Sequence, residues 1–361
     1  MTRDILEIKD LTTHYETREG SVVGAEDVSF SIAQGETMGL VGESGCGKTT
    51  VIKSILRLLP PNGRIRNGNV YFGGRDILAL SNEELRKIRW KSISLISQSA
   101  MNSLDPVYRV GDQIVEAIQA HERVGTSSAM SRAADLFNLV GLEPKRLRDF
   151  PHQFSGGMRQ RAVIAMALAL RPQVIIADEP TTALDVIVQA QVLAKIKELQ
   201  EEYGIGLILV THDMSVVAQT CDKVSVMYAG KLVEYGALRT VFRAPSHPYT
   251  MGLQNAFPSI RGPRRHLISI PGYPPDLLNP PPGCRFSERC PFRQEKCLED
   301  VPPLFDVSED HAAACWYHDS AAELRHSAAL QDTWEKVALR QKDEAGQLDE
   351  GAEVGGRVGN D

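Results

Sequence analysis

The sequence predicts an α/β fold around a largely parallel sheet. Two observations predict it, and a third excludes a membrane-embedded chain. Short apolar runs that read as buried strands ("TMGLV", "VIIAD", "LILVT") alternate with segments of helical periodicity. The first run leads directly into "GESGCGKT" (Gly42–Thr49) and an amphipathic stretch, the strand–loop–helix setting of a phosphate-binding loop. The longest apolar run, "AVIAMALAL", is too short to cross a bilayer.

The elements follow in order. Alternation in "LEI" (Leu6, Ile8) and in "VSFSI" (Val28, Phe30, Ile32) predicts two half-buried strands. "AQGE" is a turn, "TMGLV" a buried strand and "GESGCGKTT" a loop. Ile52, Ile55, Leu56 and Leu59 share one helical face, so a helix is expected from Thr50 to Leu59, ended by "PPNG". Ser99 to Pro151 reads mainly helical, with "DQIVEAI" and "AADLFNLVGL" the clearest helices. An apolar helix over Met158–Leu170 precedes the strand in "QVIIADEP", and "LILVTHD" holds a third strand. Six prolines between Pro271 and Pro282 predict a stiff, non-helical connector. Near the end, "SAALQDTWEKVALRQK" predicts a helix, and the Gly/Glu/Asp-rich terminus is expected to be disordered.

Composition narrows the class. Of 361 residues, 42% are apolar and 24% charged, ordinary for a globular protein. The formal charge is −6, and ten acids against five Lys and Arg lie between Asp319 and Asp361. No basic stripe suggests nucleic acid. "MTRDILEIKDL" is charged and alternating, so no export signal is expected, and the cytosol is the expected compartment. A membrane role then needs a partner.

The chemistry begins at Gly42–Thr49. Glycines let successive backbone N–H groups turn inward toward phosphate oxygens. Lys48 is placed to reach the β- and γ-phosphates, and the Thr49 hydroxyl to ligate Mg²⁺. Such a loop needs a metal carboxylate and a group that activates water. "VIIADEP" offers both: Asp178 at a strand end for the metal, and Glu179 beside it as general base. Taken singly, a Gly-rich turn or a pair of strand-end acids is an ordinary surface feature; together they point to phosphoryl chemistry.

"FSGGMRQR" (Phe154–Arg161) completes a resemblance to the ATP-binding subunits of ABC transporters, over about residues 5–255. It departs from that family's commonest signature by Phe154 for Leu and Met158 for Gln, changes that recur in the peptide-importer branch. The resemblance implies a P-loop ATPase cassette of a mixed sheet core, an antiparallel β subdomain and a helical subdomain at about 99–160. It implies ATP and Mg²⁺, held by Gly42, Glu43, Ser44, Gly45, Cys46, Gly47, Lys48, Thr49 and Thr50. Tyr15 lies where an aromatic ring stacks on adenine. Gln98 resembles the glutamine that senses Mg²⁺ and the membrane partner, and with Thr49 and Asp178 completes the expected metal set. Ser155, Gly156 and Gly157 resemble the loop that covers the γ-phosphate on the opposite subunit. Asp185 resembles the aspartate at the dimer interface, and His212 the histidine that contacts the γ-phosphate. The implied catalytic residues are Glu179, His212 and Gln98.

"SHPYTMGL", "PGCRFSERCPFRQEKC" and "PPLF" resemble the C-terminal extension of oligopeptide, dipeptide and nickel importer ATPases. The expected division is 1–255 for the cassette, 256–318 for the extension and 319–361 for an acidic tail. Cys284, Cys290, Cys297 and Cys315 follow a C-x5-C-x6-C-x17-C spacing without a C-x2-C pair. Four thiolates suit a [4Fe–4S] cluster. Zinc is the alternative, with His311 and His318 as spare ligands, while a reducing compartment disfavours disulfides. Arg285, Arg289, Arg293 and Lys296 lie among the thiols and are expected to lower their pKa values. The resemblance implies a second ATPase subunit, two permease chains and an extracytoplasmic solute-binding protein, with this chain at the cytoplasmic face of the membrane. A peptide is the expected solute, with nickel or another small solute as alternatives. ABC cassettes that act on DNA or ribosomes form a different class; they usually carry two cassettes or long coiled-coil arms, which this sequence lacks.

Overall fold

The computed structural model describes residues 4–97, 103–181, 185–256 and 268–342. Gln98 lies outside the described residues.

Two sheets organise the chain. The first is antiparallel and four-stranded, in the order β2-β1-β4-β5. Its strands are β1 (Asp4–Glu16), β2 (Ser21–Ala33), β4 (Gly63–Phe72) and β5 (Arg75–Asp76). The inward positions Leu6, Ile8, Val28, Phe30 and Ile32 are buried, as the alternation requires. The second sheet has eight strands, in the order β11-β12-β10-β9-β3-β8-β7-β6. They are β3 (Thr37–Val41), β6 (Ile93–Ile96), β7 (Val174–Asp178), β8 (Gly206–Thr211), β9 (Lys223–Tyr228), β10 (Lys231–Ala237), β11 (Phe305–Ser308) and β12 (His311–Ala313). From β6 to β9 neighbouring strands run parallel, and from β9 to β11 they run antiparallel. β3, β7 and β8 are buried along their whole length, which is why they read as continuous apolar runs rather than alternating ones. In such a sheet, ligands bind beyond the carboxyl ends of the parallel strands. The phosphate loop and His212 follow those ends, and Asp178 is the last residue of β7.

The helices Val110–Gln119, Thr126–Leu139 and Gly156–Ala167 pack around Ile114, Ile118, Phe137 and Phe154, all buried. The helix after the phosphate loop stops at Ile55, short of the expected Leu59. Arg57 takes a left-handed φ of 51°, and the Arg89 guanidinium fastens the Leu56 and Arg57 carbonyls in that turn. The expected C-terminal helix is divided, into Ala321–Ala328 and 331–342.

The segment after the proline-rich connector does not stand apart from the main sheet. Its β12 pairs with β10 and carries β11 onto the edge of the main sheet. Glu234 of β10 is wholly buried. Its carboxylate accepts from the backbone N–H of Ser246 (2.6 Å) and His247 (3.1 Å) and pairs with His311 Nε2 at 2.7 Å. A buried carboxylate with these partners is satisfied, and it joins three separated segments. Among the described residues, no helix is long and apolar enough to cross a membrane.

Candidate nucleotide site

The phosphate loop begins where β3 ends. Gly42 has a φ of 151°, and a Cβ there would lie 2.2 Å from the Met227 carbonyl oxygen. Gly47 has a φ of 103°, and its Cβ would lie 2.3 Å from the Gly24 oxygen. Both positions admit only glycine, for conformation and for space. Lys48 starts the following helix, is buried, and donates to the Gly42 (2.7 Å) and Glu43 (2.9 Å) carbonyls. Cys46, within the loop, is buried, and its carbonyl accepts from Gly230 N–H at 2.9 Å.

Tyr15, Lys48, Thr49 and Glu179 line one pocket, together with Ser44 and Leu277. The Tyr15 hydroxyl lies 3.1 Å from Thr50 Oγ1. That bond fixes the ring from β1 at the rim of the loop.

Asp178 ends β7 and is buried. The Thr49 hydroxyl donates to Asp178 Oδ2 at 3.2 Å, while the buried Oδ1 has no hydrogen-bond partner among the described residues. Burial pushes the Asp178 carboxyl up from its ordinary value, and the Thr49 hydroxyl pulls it partly back. A buried carboxylate oxygen without a donor is costly unless a cation satisfies it. Thr49 and Asp178 therefore fit the expected magnesium ion.

Glu179 has a left-handed φ of 47°, rare for a glutamate. Its N–H donates to the Val210 carbonyl of β8 at 2.9 Å. Its Oε1 lies 3.2 Å from His212 Nδ1, which follows β8. Backbone strain of this kind persists only where the surroundings impose it. The carboxylate and the imidazole thus meet above adjacent strands.

Ser155, Gly156 and Gly157 are absent from the lining of that pocket. Ser155 is exposed and caps the helix Gly156–Ala167, accepting from Met158 N–H at 3.3 Å. Gly157 packs against the helix Val186–Tyr203, where an added Cβ would lie 2.5 Å from Val188 Cγ1. Asp185 caps that helix, accepting from Ile187 (3.1 Å) and Val188 (3.0 Å) N–H. Beside it, Val186 and Ile187 are 82% and 72% exposed.

The cysteines behave differently from expectation. All four line one pocket with Phe286 and Trp316, and none forms a disulfide. Burial pushes the Cys284 thiol up to about 11 and Cys315 to about 12, with Cys290 also well above its ordinary value. For these three thiols the expected lowering by neighbouring cations does not occur, and two of the arginines face elsewhere. Arg285 donates to Glu26 and the Ala229 carbonyl, and Arg289 to Glu43 of the phosphate loop. Lys296 sits 3.7 Å from the centre of the Trp316 ring. The spare zinc ligands are also engaged: His311 with Glu234, and His318 Nδ1 with the Cys315 carbonyl at 2.9 Å. Among the described residues, no three His, Cys, Asp or Glu side chains gather as the ligands of one metal ion would.

Sequence reasoning did not find Leu277, Tyr249 or the partner of Arg289 at this site. Leu277 arrives from the proline-rich connector, whose carbonyl there accepts from Val23 N–H at 2.9 Å. The Tyr249 hydroxyl accepts from Glu43 N–H at 2.9 Å. Nothing local marks contacts made across some two hundred residues or more.

The fold and the site together define a P-loop nucleoside triphosphatase, with its glycine loop after β3 and a buried carboxylate at the end of β7, on either side of β8. The family model described as ABC transporter matches residues 25–182, and that described as oligopeptide/dipeptide transporter, C-terminal region, matches residues 233–297. The oligopeptide transport ATP-binding protein OppD of Bacillus subtilis is 43% identical, over 92% of this chain and 95% of its own. OppD of Escherichia coli is 46% identical, over 86% of this chain and 93% of its own. The dimeric ATP-binding cassette MJ0796, solved in a post-hydrolysis state with ADP and Pi, superposes with a TM-score of 0.59 at 29% identity, over 65% of this chain and 99% of that one. The chain belongs to the ATP-binding subunits of ABC transporters, in the oligopeptide/dipeptide branch, and is an ATPase.

Proposed function

We propose that this chain is the ATP-hydrolysing subunit of an ABC importer that drives peptide uptake through partner permeases. The carrying observation is the coincidence, in one chain, of a phosphate site with its metal carboxylate and base candidate and the C-terminal region of peptide transporters.

In this reading Gly42–Thr50 hold the triphosphate and Tyr15 holds the base. Thr49 and Asp178 hold Mg²⁺, joined by Gln98. Glu179 takes the proton of the attacking water, and His212, hydrogen-bonded to it, faces the γ-phosphate. Phosphoryl transfer is mainly positioning and charge neutralisation, so a half-site lacking the covering serine and glycines is incomplete. Ser155, Gly156 and Gly157 serve the opposite subunit's ATP, and Asp185 with exposed Val186 and Ile187 lies at that interface. A facing cassette, identical or similar, is the required partner.

The chain sits at the cytoplasmic face of the membrane through two permease chains, and an extracytoplasmic binding protein delivers the solute. In this reading a groove bordered by Arg86, Trp90, Leu95, Ser103, His121 and Met166 receives a short cytoplasmic helix of a permease. In vesicles holding the ATPases, permeases and binding protein, labelled oligopeptide uptake is expected to require ATP and to vanish with Lys48→Ala. Uptake of nickel but not of any peptide overturns the solute. Stimulation of the ATPase by ribosomes or DNA, with no uptake, overturns the transport reading.

We further propose that Cys284, Cys290, Cys297 and Cys315 hold a [4Fe–4S] cluster. The support is four thiols lining one pocket, the number such a cluster needs. The cluster supplies a cross-link to a segment with little core of its own. Anaerobically purified protein is expected to be brown, with broad visible absorbance bleached by reduction. A colourless protein with stoichiometric zinc overturns it.

A further inference from the structure

We infer that Arg289, in the C-terminal extension, is a positioning residue for the phosphate loop of its own subunit. The inference rests on the reading of residues 42–49 as that loop.

Arg289 is 3% exposed. Its guanidinium grips the Glu43 carboxylate with two parallel bonds, 2.8 Å from one amino group and 3.0 Å from the other. Its remaining donors are also placed: Nε on the Pro271 carbonyl at 2.9 Å, and the two amino groups on the Tyr228 hydroxyl and the Ile270 carbonyl, both at 3.3 Å. A guanidinium has five N–H donors in a fixed fork, and here every one has an acceptor. The head is therefore immobile, and it holds Glu43 in one place.

Glu43 is the second residue of the loop and is held at three points. Its side chain meets Arg289, its N–H donates to Tyr249 Oη at 2.9 Å, and its carbonyl accepts from Lys48 Nζ at 2.9 Å. Two of these three holds come from beyond β10, and the third is the lysine of the loop. The same extension reaches the nucleotide pocket again through Leu277.

The charge arithmetic gives the arrangement a consequence. A carboxylate in a loop that cradles a triphosphate repels it unless a cation neutralises and aims it. The Glu43 side chain is 27% exposed, so without its partner the carboxylate gains freedom to turn toward the loop. Arg289 removes that repulsion and fixes the loop before nucleotide arrives.

The test uses the intact transporter complex. Arg289→Met is expected to raise the KM for magnesium–ATP about tenfold, with kcat changed less than twofold, as loss of ground-state binding does. Glu43→Gln added to Arg289→Met is expected to bring KM back to within about threefold of the parent, since the unneutralised charge is gone. A purely structural role for Arg289 gives no such relief. Should Arg289→Met fail to assemble, Arg289→Lys takes its place; it keeps the charge but loses the fork, and a rise of about threefold is expected, again relieved by Glu43→Gln. A KM within twofold of the parent overturns the inference when Arg289 is Met in an assembled complex. So does a defect that Glu43→Gln leaves untouched, in either variant. Lys48→Ala separates the two levels: unchanged magnesium–ATP affinity there sinks the phosphate-loop reading itself. Loss of affinity in Lys48→Ala, with none in Arg289→Met, sinks only the role of Arg289.

Discussion

With the partner ATPase subunit already inactivated, Glu179→Gln is expected to cut ATP turnover about a thousandfold while leaving ATP bound, within the range for loss of a positioned general base. The geometry separates the two effects. Glu179 shares the pocket with Lys48 and Thr49 but comes from the end of β7 rather than from the loop. In the proposed roles the loop holds the phosphates and Glu179 meets the attacking water. Its backbone is held at a φ of 47° by the bond to Val210, and its carboxylate by His212 at 3.2 Å. Glutamine keeps the shape and a hydrogen bond to the imidazole but cannot accept a proton. The two cassettes should then stay closed on unhydrolysed nucleotide. Single-turnover quench with radiolabelled ATP, together with nucleotide retention on a desalting column, measures both quantities. Parental turnover in that background rejects the role, and fast release of ATP rejects the separation of binding from chemistry.

How much was legible in the sequence follows from how local each feature is. The phosphate loop was legible because its glycines, lysine and threonine are contiguous and its strand and helix flank it directly. Asp178 and Glu179 were legible because a carboxylate pair ends a run that is buried on both faces. The end of the first helix was misplaced because Leu59 continues the apolar period. The stop comes instead from Arg89, which caps Leu56 and Arg57 from a distant turn. The extension showed its cysteines but not its attachment. That β12 would pair with β10, and that Arg289 would leave the thiols for Glu43, depends on contacts separated by some 80 and 246 residues. Charge near a thiol in sequence is not charge near it in space, and the raised thiol values follow from burial instead.

Asp178→Asn is expected to lower kcat about a hundredfold and to raise the Mg²⁺ concentration needed for half-maximal turnover more than tenfold, while metal-free ATP binds as before. The argument lies in the two oxygens of one carboxylate. Oδ2 already accepts from the Thr49 hydroxyl, so that bond alone would be served by an amide oxygen. Oδ1 is buried with no donor among the described residues, and burial already opposes the carboxylate's charge. A protein gains nothing in stability by keeping such an oxygen there, so a cation is the partner that explains it. Asparagine retains the Thr49 bond but withdraws the negative charge that divalent magnesium needs. The variant should therefore fold as well as the parent or better, and fail only where the metal enters. Thermal melting without nucleotide and a magnesium titration of turnover test the two halves together. A variant that melts far lower yet shows parental magnesium dependence would make Asp178 a structural acid, and the metal's carboxylate would have to be sought elsewhere in the pocket.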